Sequence, residues 1–172
     1  KFTAAVVQMS SGTDVTKNIV AMDQLVRDAA GQGATYIQTP EMTGLVQQDR
    51  DAFFKSVRDE DNDLLVQADS ELSKELGVTL HIGSTPILVG ERTAANRAFL
   101  FGPDGRCRAR YDKIHMFDVD ISETETYRES AGYRPGDKAV VAETAFAKIG
   151  MPVCYDMRFP ALSQQLAEAG AQ

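Results

Sequence analysis

Short apolar runs alternate with stretches of helical periodicity in the first half of the chain. Residues 2–9 form a nearly continuous apolar run, which is typical of a strand buried on both faces of a sheet. Asp14 is placed to cap a helix whose apolar residues recur every three or four positions until the glycines at 31 and 33. A second apolar run over 34–38 completes a strand-helix-strand crossover, which predicts a pair of parallel strands.

The same arrangement repeats once before the pattern changes. Residues 63–76 carry a second helical pattern that ends at Gly77, and a strand is predicted over 78–83. Two crossovers indicate a layered α/β fold. The remaining apolar pattern predicts a hairpin with a Gly-Pro-Asp-Gly turn, two further strands and a final helix, over residues 96–101, 106–111, 139–142, 147–153 and 159–169.

Composition narrows the classes of partner. The chain has 172 residues, 43% of them hydrophobic and 25% charged, which is ordinary for one globular domain. Eighteen basic and 25 acidic residues give a net charge of −7, so nucleic acid is not an expected partner. No apolar run is long enough to span a bilayer, and the chain begins with a strand pattern instead of a signal peptide. We therefore expect a soluble, cytoplasmic protein whose two cysteines stay reduced.

Three ionisable residues follow directly on predicted strands. Glu41 comes after the run over 34–38, Lys113 after the second hairpin strand, and Cys154 after the last strand. Because the carboxyl ends of strands in an open α/β sheet meet at one crevice, these side chains are expected to converge there. Backbone N–H groups in the turn after a strand favour a thiolate at Cys154. Taken singly, each residue has a commoner structural interpretation: Glu41 as a surface turn residue, Lys113 as half of an exposed ion pair, and Cys154 as a buried core cysteine.

These three residues, with the segments around them, resemble the Glu-Lys-Cys constellation of the nitrilase superfamily, also called carbon-nitrogen hydrolases. The resemblance covers nearly the whole chain, and its most specific segments are residues 2–8, 96–105, 113–118, 129–130 and 154–160. It implies a four-layer α-β-β-α sandwich. Family members continue beyond the point where this sequence stops, so residues 1–172 are expected to form the N-terminal part of a carbon-nitrogen hydrolase domain.

The resemblance also implies a role for each residue. Cys154 is the nucleophile that forms a thioester, and Glu41 is the general base, with a pKa raised by desolvation. Lys113 stabilises the thiolate and the oxyanion, together with the backbone N–H of Tyr155. Glu129 matches a second glutamate that supports the lysine and substrate, although a solvated loop charge is the alternative. The polar stretch over 117–135, which contains Glu129, is expected to cover the site.

The expected activity is hydrolysis of a non-peptide C–N bond, in the branch of the family that acts on amides of small carboxylic acids and releases ammonia. N-carbamoyl amino acid hydrolysis and nitrile hydrolysis are alternatives within the family. A rival from a different class is a truncated, non-catalytic binding or assembly module. We expect no cofactor and no metal, a small-molecule substrate, and no nucleic-acid or membrane partner, and the resemblance implies a homo-oligomer of two or more chains.

Other chemistry finds little support in the sequence. Cys107, Cys154, His81 and His115 lack the close spacing of zinc ligands, and no glycine-rich phosphate loop follows the first strand. His81 lies in an apolar run, which favours a hydrogen-bonded core histidine. His115 and Cys107 are likewise assigned structural roles.

Overall fold

The computed structural model describes residues 1–172, and a five-stranded mixed sheet forms its centre. The strands lie in the order of the sequence, and the first three are parallel while the last two add as antiparallel neighbours. The predicted parallel crossovers and the antiparallel hairpin are therefore confirmed. The strands are β1 (Ala4–Val6), β2 (Tyr36–Gln38), β3 (Thr79–Gly90), β4 (Thr93–Phe101) and β5 (Cys107–Asp112).

Four α-helices accompany the sheet, and two of them begin and end where the sequence predicts. Helix α1 begins after Asp14, whose carboxylate accepts a hydrogen bond from the Lys17 N–H, and α3 begins after Asp63 in the same way. Gly77 ends α3 with φ of 64°, a left-handed conformation that favours glycine. The helices are α1 (Val15–Gly31), α2 (Arg50–Ser56), α3 (Leu64–Leu76) and α4 (Pro160–Glu168).

The two faces of the sheet bury different partners. Phe99 and Phe101 of β4 point to the face that α1 and α3 cover, and they belong to the largest apolar cluster. Ala98 and Leu100 alternate with them and face a hairpin of β8 (Val141–Glu143) and β9 (Lys148–Gly150). On β9, Leu166 of α4 packs beside Gly150. The layers are therefore α1 with α3, the five-stranded sheet, the β8–β9 hairpin and α4, which is the predicted α-β-β-α order.

Some boundaries differ from the sequence prediction. The apolar run over 2–9 yields only the three residues of β1, an edge strand on which Val6 is 81% exposed. The polar stretch over 117–135 is not wholly irregular, because β6 (Asp118–Asp120) pairs with β7 (Thr126–Arg128) and a short 3-10 helix follows at Glu129–Ala131. Among the helices, none has the length and apolar character needed to cross a membrane.

Candidate active site

Glu41 lies in a tight turn after β2 that is fastened to β3. The Thr39 N–H donates to the His81 carbonyl at 2.9 Å, and the Thr43 N–H donates to the Ser84 carbonyl at 2.8 Å. Gly83 permits this approach, since a Cβ there would lie 2.2 Å from the Thr39 carbonyl oxygen. The turn therefore holds Glu41 against the sheet.

The backbone of this turn adopts an uncommon conformation beside Glu41. Met42 has φ of 57°, and only one other non-glycine residue has a positive φ, namely Cys154 at 47°. Both residues line the same cleft. Strained backbone of this kind persists where the surroundings enforce it, and it concentrates at functional sites.

Lys113 follows β5 and is enclosed by two carboxylates. Its Nζ donates to Glu41 Oε1 at 2.9 Å and to both Glu129 oxygens at 2.9 and 3.0 Å. The Lys113 side chain is 2% exposed and that of Glu129 is 4% exposed, whereas 27% of the Glu41 side chain remains exposed. Glu129 also accepts a hydrogen bond from the Phe117 N–H at 2.6 Å. This bond joins the start of the 117–135 loop to the carboxylate that binds Lys113. Lys113 and Glu129 therefore form a buried ion pair that Glu41 joins from the solvent side.

Asn96 of β4 joins the same cluster, although nothing in the sequence singles it out beyond its place in a family segment. Its Nδ2 donates to Glu41 Oε1 at 2.8 Å and to Glu129 Oε1 at 3.1 Å. The Asn96 carbonyl also accepts the Lys113 N–H at 2.9 Å. One residue thus contacts all three charged members of the site.

Cys154 begins a 3-10 helix over Cys154–Arg158 and is exposed in the cleft. Asp156, fully buried, fixes this turn to the segment around Lys113: its carboxylate accepts hydrogen bonds from the Val153 N–H at 3.0 Å, the Tyr111 hydroxyl at 2.6 Å and the His115 N–H at 2.9 Å. The residues on either side of Lys113 are therefore tied to the residues on either side of Cys154.

The electrostatics at Cys154 differ from the sequence expectation of a stabilised thiolate. Partial desolvation at the cleft wall raises the pKa of the Cys154 thiol, and the negative charge of Glu41 raises it further, while Lys113 lowers it only in part. The Cys154 side chain is therefore a neutral thiol with Glu41 beside it. Burial lowers the pKa of Lys113, but hydrogen bonds to Glu129 and Glu41 outweigh that effect and the pKa is raised, so the lysine stays charged.

A cleft of about 830 Å³ opens onto these residues. Its walls are largely apolar and come from the turn after β2, from α2 and from the loop over 117–135. That volume suits a small ligand with a few polar groups at one end. The residues at its charged end are Glu41, Lys113, Glu129 and Cys154.

The structure brings together all four side chains that the sequence singled out, and it places Tyr155 directly after the nucleophile turn begins. The histidines lie elsewhere: His81 Nδ1 is 2.7 Å from the Tyr36 hydroxyl, and burial lowers its pKa to about 4. His115 Nδ1 is bonded to Asp156 at 2.7 Å, and its ring stacks on Phe159. Each therefore has the structural partners expected of it.

Comparison with known proteins supports the family resemblance seen in the sequence. A family model described as "Carbon-nitrogen hydrolase" matches residues 3–172. The deaminated glutathione amidase of Yersinia enterocolitica is 36% identical over 98% of this chain and 59% of its own length. The human omega-amidase NIT2 is 33% identical over 99% of this chain and 61% of its own length.

A solved structure agrees with the fold. Saccharomyces cerevisiae Nit3, described as a member of branch 10 of the nitrilase superfamily, superposes with a TM-score of 0.81 at 27% identity, over 96% of this chain and 60% of that chain. The chain thus spans about three fifths of the length of the relatives that it matches. With a family match over nearly all of its residues and a fold shared with Nit3, the chain belongs to the carbon-nitrogen hydrolases of the nitrilase superfamily.

Proposed function

We propose that this chain carries the active site of a thiol hydrolase that cleaves the C–N bond of a small amide. The observation that carries the proposal is the convergence of Cys154, Glu41, Lys113 and Glu129 at one end of a single cleft. A neutral thiol, an adjacent carboxylate and a buried cation are the three parts that acyl transfer through a thioester needs.

The first half of the reaction forms the thioester. Glu41 takes the proton of the Cys154 thiol as the sulfur attacks the amide carbon, and the carbonyl π electrons move onto oxygen. The tetrahedral intermediate then collapses, the C–N bond breaks, and Glu41 returns the proton to the leaving nitrogen, which departs as ammonia. The partial exposure of Glu41 supports this role, since 27% of its side chain is exposed and only 4% of that of Glu129.

The second half consumes water. Glu41 accepts a proton from a water molecule that attacks the thioester carbon, the C–S bond breaks, and the sulfur regains a proton as the acid leaves. Lys113 and the backbone N–H of Tyr155 stabilise the oxyanion in both halves. The first N–H groups of a helix lack partners within it, which suits Tyr155 to this task.

One fact supports an amide over a nitrile or a carbamoyl compound as substrate, and a second supports a small acyl group. Both relatives described above are named as amidases. The cleft also has room for an acyl group that extends from the nucleophile along an apolar wall. We propose the amide of a small carboxylic acid as the substrate class.

The test is an ammonia-release assay over small amides, carbamoyl amino acids and nitriles with the intact protein. Amides should be turned over fastest, and Cys154→Ala should abolish turnover with little change in unfolding temperature. Cys107→Ala is the matched control: Cys107 lies half-buried on β5, so its loss should leave turnover nearly intact. Turnover that survives Cys154→Ala would refute the thioester mechanism, and the absence of any turnover in the parent would favour the non-catalytic alternative.

A further inference from the structure

Asn96 has an unusual position, because its side chain lies between two carboxylates of the site. The residue is fully buried on β4. Its amide group donates both to Glu41 at 2.8 Å and to Glu129 at 3.1 Å. These are the same two oxygens that accept hydrogen bonds from Lys113 Nζ. The two carboxylates are therefore held together by one neutral donor and one cation.

The other end of the Asn96 carboxamide has no partner. Its Oδ1 is buried and accepts no hydrogen bond, which costs free energy in a folded protein. The orientation is nevertheless determined, since a flipped carboxamide would direct Oδ1 at two carboxylate oxygens. A purely structural asparagine would be expected to satisfy both ends. Here the fold leaves the acceptor unpaired and directs both N–H bonds at the site.

The hydrogen bonds from Asn96 affect the balance of charge among the ionisable side chains of the site. Glu41, Glu129 and Lys113 together carry one excess negative charge when both carboxylates are ionised. Two carboxylates that lie close together repel each other, and this repulsion favours retention of one proton, which would occupy the base before it could act. Hydrogen bonds to a carboxylate favour its charged form. The Asn96 donors therefore favour ionisation of both groups.

Resting on the proposed function above, we infer that Asn96 is a positioning residue that keeps Glu41 ionised and aligned as the proton acceptor for Cys154. It acts through Glu41 and touches no reacting atom. Glu129 is held by the lysine and by the Phe117 N–H, so it is the less dependent partner. The titratable groups that interact with Glu41 or share a donor with it are Lys113, Glu129, Cys154, Tyr127 and Tyr133.

The test follows alkylation of Cys154 by iodoacetamide as a function of pH, resolved by peptide mass spectrometry so that Cys107 is counted separately. A thiol coupled to a carboxylate gives a profile with two apparent pKa values, of which the lower reports ionisation of the pair. Asn96→Asp removes the N–H donors and adds a third carboxylate, so the lower value should rise by about one pH unit or more. Asn96→Ala removes only the donors and should raise it less.

The matched control is Asn18→Asp, the same chemical change at another buried asparagine. The Asn18 amide group donates to the carbonyls of Gly12 and Gly44, so the variant should lose stability without moving the lower pKa. A lower pKa that stays in place in both folded Asn96 variants overturns the inference. So does failure of both to fold in urea titrations, because the residue would then serve folding alone. Alkylation requires no substrate, so a shift seen without amide turnover would refute the proposed function and leave this inference standing.

Discussion

At the level of single residues, the two glutamates that bind Lys113 differ in burial and in hydrogen-bond partners. Glu129 is almost sealed and accepts both the lysine and a backbone N–H. Glu41 accepts one bond from Lys113 and keeps part of its surface on the cleft. Glu41 is therefore the more exposed of the two carboxylates, which supports the proposal that it is the proton acceptor for Cys154. Glu129 balances the charge of the lysine in the interior.

Lys113→Ala should reduce turnover by about 100-fold or more, because it removes the proposed stabiliser of the oxyanion. It should also destabilise the fold by several kcal/mol, since Glu129 would be left buried without its cation. Steady-state kinetics and urea unfolding measure the two effects. Lys148→Ala is the control, because Lys148 makes only a surface ion pair with Glu143. Turnover within a few-fold of the parent would assign Lys113 a structural role.

Arg50 offers a test of substrate charge. It lines the cleft at the start of α2, donates to the Ala131 carbonyl at 2.6 Å, stacks over Phe54 and makes no ion pair. An unpaired guanidinium is suited to bind a carboxylate. Arg50→Ala should raise KM about tenfold or more for an amide that carries a distal carboxylate and leave KM of an uncharged amide nearly unchanged. Equal changes for both substrates would exclude this contact.

At the level of elements, sequence predicted best where a local signal marks the boundary. The caps at Asp14 and Asp63 and the left-handed Gly77 define α1 and α3. The extension of β3 to Gly90 was missed because a register shift between Ile82 and Thr85 interrupts its alternation. Short α2 was missed because tertiary contacts, in which Phe53 packs on Tyr133, stabilise it more than its own pattern does.

The site shows the same division between local and distant causes. Glu41, Lys113 and Cys154 were found because each follows a strand within a recognisable segment. Asn96 and Asp156 were not, since their importance lies in hydrogen bonds to residues distant in sequence. The upward shift of the Cys154 pKa could not be predicted from the sequence, because it depends on the desolvation and charge around the folded site.

The turn that carries Glu41 depends on a close approach to β3. Gly83→Ala should lower turnover about tenfold or more, because the new Cβ would collide with the Thr39 carbonyl and displace the turn. Gly31→Ala at the end of α1 is the control, since nothing lies within 4 Å of the position that its Cβ would take. It should leave turnover unchanged. The measurement is the rate of ammonia release by the two variants. Full activity in Gly83→Ala would show that the turn can move without loss of function.

Helix α3 buries a carboxyl group without a partner. Burial raises the pKa of Asp69 well above its usual value, and neither of its oxygens accepts a hydrogen bond. The folded state keeps this proton above pH ~4, where the unfolded state loses it, so Asp69 lowers stability as pH rises from there toward its folded pKa. Asp69→Asn should therefore gain stability relative to the parent across that window, by up to about 1.4 kcal/mol per pH unit.

Urea unfolding of both proteins at pH 4 to 7 measures this gain. Glu71→Gln, on the exposed side of the same helix, is the control and should show no such trend. A constant difference between Asp69→Asn and the parent at every pH would mean that Asp69 is ionised in the folded state.

At the level of the whole molecule, the order of the four layers was predictable from the family resemblance. The site forms where the five-stranded sheet packs on the β8–β9 hairpin. Glu41, Asn96 and Lys113 come from the large sheet, whereas Cys154 follows the hairpin that covers its other face. Contact between the two sheets therefore brings the nucleophile to its base. The homo-oligomer implied by the resemblance stays a prediction, which sedimentation at micromolar concentration would test.

The most direct test of the proposed mechanism is the identity of the residue that carries the acyl group during turnover. The intact protein would be mixed with a small amide, quenched in acid within the steady state and digested for peptide mass spectrometry. We predict that the peptide containing Cys154 gains the mass of the acyl group and that the adduct disappears in Cys154→Ala. Amide turnover with the acyl group on another residue, or with no adduct on Cys154 under any quench condition, would contradict the mechanism.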